Sequence, residues 1–113
     1  EQGLPAAEYD YAVMLLQGRG LKADEGKVVH YLQSASDKGV AGAQNRLAHL
    51  YAEGIGVEAN PLEAAKWRLV AKAAGVADDK LDLYVAALPD ADRAKAETAA
   101  AEWRERRQVM AMP

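Results

Sequence analysis

The chain has 113 residues, half of them hydrophobic, which is enough for one small domain. It has no cysteine, so it can form neither a disulfide nor a thiolate metal site. The net charge of −3 argues against a nucleic-acid-binding domain, and no apolar run is long enough to cross a membrane.

The first unit reads as two helices joined by a glycine-containing turn. The first helix is predicted from Gly3 to Gln17, and the turn from Gly18 to Ala23. Asp24 is placed to cap a second helix that runs to about Asp37. A short link, Gly39–Gly42, then leads into the next unit.

The second unit repeats this arrangement with stronger signals. A helix is predicted over Ala43–Glu53, followed by Gly54, where a helix end favours a residue that tolerates the left-handed conformation. Asn60, a proline and then Glu63 form a helix start signal of the capping-box type. A further helix is therefore predicted over Pro61–Ala73. Its apolar side consists of Leu62, Ala65, Trp67, Leu69 and Ala71.

The two units match at an offset of 36 residues. The matching pairs include Gly3 and Gly39, Ala7 and Ala43, Tyr11 and Leu47, Leu15 and Tyr51, Gly18 and Gly54, Gly20 and Gly56, Asp24 and Asn60, and Tyr31 and Trp67. A period of this length is typical of stacked helical hairpins. Over about residues 3–75 the pattern resembles the Sel1-like repeat, a relative of the tetratricopeptide repeat. The resemblance implies an all-α fold, an α-α superhelix or right-handed solenoid of helical hairpins. We expect two full repeats, at about residues 3–38 and 39–74, within a single array that spans the chain.

A third, degenerate unit is predicted over residues 75–108. Leu83 falls where Leu47 lies one period earlier, and Trp103 falls where Trp67 lies. The glycine pair is missing, and a long helix to about Gln108 follows instead. Because a terminal repeat must turn one face to water, we expect this unit to close the array. The tail, residues 109–113, is expected to be poorly ordered.

The residues that could carry chemistry do not form a recognisable site. His30 and His49 are isolated, whereas a zinc site needs at least three clustered ligands. Ser34, Ser36 and Thr98 have no motif that would activate a nucleophile. No metal, cofactor or catalytic residue is therefore predicted.

The clusters of charged residues lie where helix ends are predicted, and capping and the helix dipole account for them. Asp78 or Asp79 is expected to cap a helix, and Asp82 to favour its first turn. The run Trp103–Arg107 contains three arginines, but two glutamates lie within or beside it. We interpret it as positive charge near a helix C-terminus, with Trp103 as an apolar lid over the preceding repeat.

Sel1-like proteins typically serve as adaptors or scaffolds, and many bacterial members are exported. The resemblance thus implies a non-enzymatic module that binds a protein or peptide, with a periplasmic location favoured over a cytoplasmic one. Self-association through an exposed N-terminal repeat face is also possible under this reading. Two alternatives stay open: a small hydrolase acting on cell-wall or β-lactam substrates, and a structural segment of a longer array cut at Glu1.

A binding surface can be predicted by position. In tetratricopeptide units the groove is lined by first-helix residues that are not used in packing. In the second unit Ala43, Leu47 and Tyr51 are expected to pack inward, so the groove residues follow another stripe of the same helix. That stripe and its counterparts at the 36-residue offset are Asn45, His49 and Glu53, then Tyr9, Val13 and Gln17, then Leu81 and Val85.

Overall fold

The computed structural model describes residues 25–111, which form five α-helices and no strand. The helices are α1 (Glu25–Asp37), α2 (Ala41–Glu53), α3 (Pro61–Ala73), α4 (Asp79–Ala86) and α5 (Asp90–Ala111). The predicted helix at Gly3–Gln17, the turn after it and the cap at Asp24 lie outside the described residues. The helices pack in sequence, α1 on α2 and α2 on α3, while α3 also contacts α4 and α5. The prediction of an all-α array of helical hairpins is confirmed.

The core lies where apolar residues recur at helical spacing. Leu32 of α1, Leu47 of α2 and Trp67 of α3 are all completely buried. Trp103 of α5 meets the Trp67 ring edge to face, with 5.5 Å between the ring centroids. This geometry is favourable for aromatic pairs, so Trp103 covers the preceding repeat as the sequence predicted.

The start of α3 differs in two details from the prediction. Leu62 is exposed, because the buried face of α3 begins only at Ala64. Asn60 caps the helix by accepting the Glu63 N–H at 3.2 Å. The return bond of a capping box is not formed, since the Asn60 N–H donates to the Tyr51 carbonyl at 2.9 Å.

The third unit departs from the 36-residue register. Leu83, predicted to match the buried Leu47, is 73% exposed, whereas Leu81 and Val85 are buried. The N-caps of α2 and α4 are Val40 and Asp78, which are 38 positions apart. The third unit is thus displaced by two residues from the 36-residue offset, which corresponds to a rotation of about 200° around the helix axis. Leu83 therefore faces outward, and Leu81 and Val85 lie in the core.

The last helix, α5, extends further than predicted and contacts the C-terminus of α1. α5 continues to Ala111, beyond the predicted helix end at about Gln108, and residues 112–113 lie outside the described range. The Arg107 guanidinium lies 5.8 Å from the Trp103 ring centroid and donates to the carbonyls of Asp37, at 3.2 Å, and Lys38. These carbonyls belong to the C-terminus of α1, whose negative dipole end favours a cation.

Candidate functional site

Three of the predicted binding residues share one face of α2. Glu53 is exposed, the His49 side chain is 32% exposed, and Asn45 is half-buried. Of the three, only Glu53 at the C-terminus of α2 is fully exposed. We refer to Asn45, His49 and Glu53 as the α2 strip.

The other predicted binding residues do not extend this strip within the described range. Leu81 and Val85 are buried, with 3% and 8% exposure, and pack in the core. Their assignment to an accessible surface was wrong because it relied on the 36-residue offset, which the third unit does not keep. Tyr9, Val13 and Gln17 lie outside the described residues.

Asp78 ties the α2 strip to the third unit. One of its carboxylate oxygens accepts from Asn45 Nδ2 at 2.8 Å and contacts His49 Nε2 at 2.7 Å. The other oxygen accepts from the Leu81 N–H at 3.0 Å and thereby caps α4. The predicted cap is confirmed, but its contacts with α2 join residues that are 29 and 33 positions apart.

These contacts determine which nitrogen of His49 carries the proton. Burial alone would raise the pKa of Asp78, but hydrogen bonds from Leu81, Asn45 and His49 outweigh it and lower the pKa to about 2. Asp78 is therefore an ionised acceptor at neutral pH, so Nε2 of His49 must be the donor. In the neutral ring Nδ1 is then left as an acceptor, and no described residue bonds to it.

A buried arginine connects the strip to α3. Arg68 is 1% exposed and donates from Nε to Asp82 at 2.8 Å and from Nη1 to Asn45 Oδ1 at 2.7 Å. The Arg68 guanidinium in turn lowers the pKa of Asp82. A buried charge needs such pairing, because an uncompensated guanidinium would be strongly destabilising.

Asn45 is consequently engaged from both ends, with its amide nitrogen on Asp78 and its oxygen on Arg68. Sequence reasoning did not identify Arg68, and it assigned to Asp82 only a role in the first turn of a helix. The available signal was spacing, since Arg68 lies four residues after Ala64 and three before Ala71, on the buried face of α3.

The strip has no arrangement that would support metal or nucleophilic chemistry within residues 25–111. No group of three or more His, Cys, Asp or Glu side chains there could hold a metal ion. No described hydroxyl bonds to His49, and Ser36 is completely buried. None of the described helices is long and apolar enough to cross a membrane.

Comparison with known proteins identifies the repeat. No curated protein matches the chain at a significant level. Among solved structures, the chain is similar to c5321, a protective antigen present in uropathogenic Escherichia coli strains displaying an SLR fold. The TM-score is 0.81 at 26% identity, and the match covers 92% of this chain but only 23% of that one. The model of the Sel1 repeat matches residues 5–40 and 41–75, and the chain therefore belongs to the Sel1 repeat family.

Proposed function

We propose that the chain is a protein-interaction module that binds a partner protein or peptide on its concave face, at the α2 strip and its first-unit counterparts Tyr9, Val13 and Gln17. Sel1 repeats are typically non-enzymatic scaffolds for protein interactions, and an array of hairpins presents an extended surface to a partner. The orientation of His49 is the observation that carries the proposal.

In its neutral form the imidazole of His49 presents an oriented acceptor, Nδ1, on a partly accessible helix face. Asp78 holds Nε2 at 2.7 Å, and Nδ1 stays available. An extended peptide crossing α2 could donate a backbone N–H to Nδ1, while Glu53 offers an exposed carboxylate one helical turn further on. Asn45 holds the neighbouring groups in position rather than contacting the partner, because both ends of its amide are occupied.

The test begins with a pull-down that uses the whole chain as bait, followed by mass spectrometry. Affinity for a captured partner is then compared between Glu53→Arg and Glu105→Arg. Both replace an exposed glutamate, but Glu105 lies on α5, away from the strip. We expect Glu53→Arg to weaken binding about tenfold, because it reverses a charge at the contact, and Glu105→Arg to leave it unchanged. Equal affinities for the two variants would show that the α2 strip is not the binding surface.

Two further proposals follow from the family. Self-association would use the face of the first repeat, whose residues before Glu25 lie outside the described range. Light scattering of the purified chain at increasing concentration tests it, and a constant monomer mass would contradict it. An exported, periplasmic location is consistent with the similar protein being an antigen, and cell fractionation tests that proposal.

A further inference from the structure

A groove with cationic walls lies between α3 and α5, away from the α2 strip. It consists of two adjoining cavities of about 350 and 200 Å³ that share Ala73 and Arg104. The larger is lined also by Leu69, Lys72, Glu97 and Ala100, and the smaller also by Gly39, Gln44, Val70, Ala74, Trp103 and Arg107. We call the combined space the α3–α5 groove.

The charge of this groove is opposite to that of the whole chain. Lys72, Arg104 and Arg107 line it together with a single carboxylate, Glu97, although the net charge of the chain is −3. Arg107 is bound to the carbonyls at the end of α1, and Lys72 lies 3.8 Å from Asp82. Arg104 is exposed and has no hydrogen bond or ion pair with any described residue. Its guanidinium is thus available to an anionic ligand.

A second unmet requirement lies in the smaller cavity, where Gln44 is a lining residue. Gln44 is 1% exposed and donates from Nε2 to the Ser36 carbonyl at 3.1 Å, which defines Oε1 as its acceptor atom. Oε1 is buried and has no partner among the described residues. Since a buried acceptor without a partner is destabilising, a donor that reaches Oε1 from the smaller cavity would be stabilised there.

We infer that the α3–α5 groove binds an acidic peptide segment. A carboxylate of the peptide pairs with the forked guanidinium of Arg104, which accepts such groups in a bidentate manner. A backbone N–H of the peptide supplies the donor that Gln44 Oε1 lacks. An apolar side chain packs against Leu69, Ala73 and Trp103. A simple anion would meet only the first of these requirements, and an apolar ligand only the last.

The probe is a short blocked peptide of alternating glutamate and leucine, titrated into the whole chain by calorimetry. Its matched control has glutamine in place of glutamate. The protein variants are Arg104→Gln and Arg106→Gln, which remove the same charge from exposed positions of α5, only the first of which lines the groove. Far-ultraviolet circular dichroism and melting confirm that each variant is folded.

We expect the acidic peptide to bind the wild type and Arg106→Gln alike, and to bind Arg104→Gln at least about fivefold more weakly. Arg104→Lys should recover only part of the loss, because an ammonium has no fork. Absence of binding to the wild type, equal binding of the glutamine peptide, or an equal loss in both variants would overturn the inference. Tighter binding of a single-stranded oligonucleotide would assign the groove to nucleic acid instead. The variant Glu53→Arg should leave this affinity unchanged, so the two proposed surfaces can fail separately.

Discussion

Asp78 joins α2 to α4 through a single carboxylate. It caps α4 through the Leu81 N–H, and it binds Asn45 and His49 on α2. A carboxylate is well suited to this position because its two oxygens together accept several hydrogen bonds. The same donors that position it also stabilise its charged form, so the contact between the second and third units depends on its ionisation.

The pKa of Asp78 predicts how stability depends on pH. The folded-state pKa is about 2 against an ordinary value of 3.8, which corresponds to about 2 kcal/mol of stability. Because the folded pKa is lowered, this stability is present above about pH 4 and is lost as the pH falls through 2. We expect Asp78→Asn, which retains a good capping side chain, to lose about this amount at pH 7 and much less at pH 2.

Urea unfolding of the wild type and Asp78→Asn at pH 7, 4 and 2 measures the difference. Glu58→Gln, at an exposed position in the turn before α3, serves as the control and should match the wild type throughout. A difference between Asp78→Asn and the wild type that stays constant from pH 7 to pH 2 would contradict the assignment.

The turn between α2 and α3 requires glycine for two different reasons. Gly54 and Gly56 both have φ of +72°, where side-chain-bearing residues are strained. A Cβ at Gly54 would find ordinary contacts, the nearest at 3.4 Å from Ala59. A Cβ at Gly56 would lie 2.6 Å from the Glu25 carbonyl oxygen at the start of α1. The turn is therefore also a packing surface for the preceding unit.

We predict that Gly56→Ala is more destabilising than Gly54→Ala. The Gly54 variant should lose about 1 kcal/mol from backbone strain alone. The Gly56 variant should lose at least about 2 kcal/mol, because α1 must also move away. The midpoints of urea unfolding, compared at an unchanged dependence of the unfolding free energy on urea concentration, measure both losses of stability. Equal losses would mean that the turn and α1 are not in contact in solution.

At the largest scale, α5 connects the described units to one another. It covers Trp67 with Trp103, and its Arg107 binds the C-terminus of α1, 70 positions earlier in the chain. These contacts shield the apolar side of the second repeat from water. The exposed Val109 and Met110 lie beyond these contacts.

Two truncations test the contacts of α5 with the second repeat and the C-terminal end of α5 independently. Removal of everything after Leu88 uncovers Trp67 and should cause aggregation or loss of cooperative melting. Removal of residues 109–113 should change the melting temperature by no more than about 2 °C, because Val109 and Met110 are exposed. Differential scanning calorimetry and light scattering test both. If the chain truncated after Leu88 is a soluble monomer that melts cooperatively, α5 is dispensable for folding.

Features that depend only on neighbouring residues could be predicted without knowledge of the fold. The glycine at the end of α2, the caps Asn60 and Asp78, and the burial of Leu47 and Trp67 all agree with prediction. Backbone sterics, capping bonds and helical periodicity act within a few residues, so they can be recognised without knowledge of the fold.

The other features could not be predicted, because they depend on how the helices are placed relative to one another. The 38-residue spacing of caps in the third unit moved Leu81 and Val85 into the core. Arg68 pairs with Asp82 and Asn45, so that Asn45, which the sequence predicted in the binding surface, is held by contacts within the protein. A periodic sequence defines which face of each helix is apolar, but distant side chains such as those of Asn45, Arg68 and Asp78 meet only when packing brings the helices together.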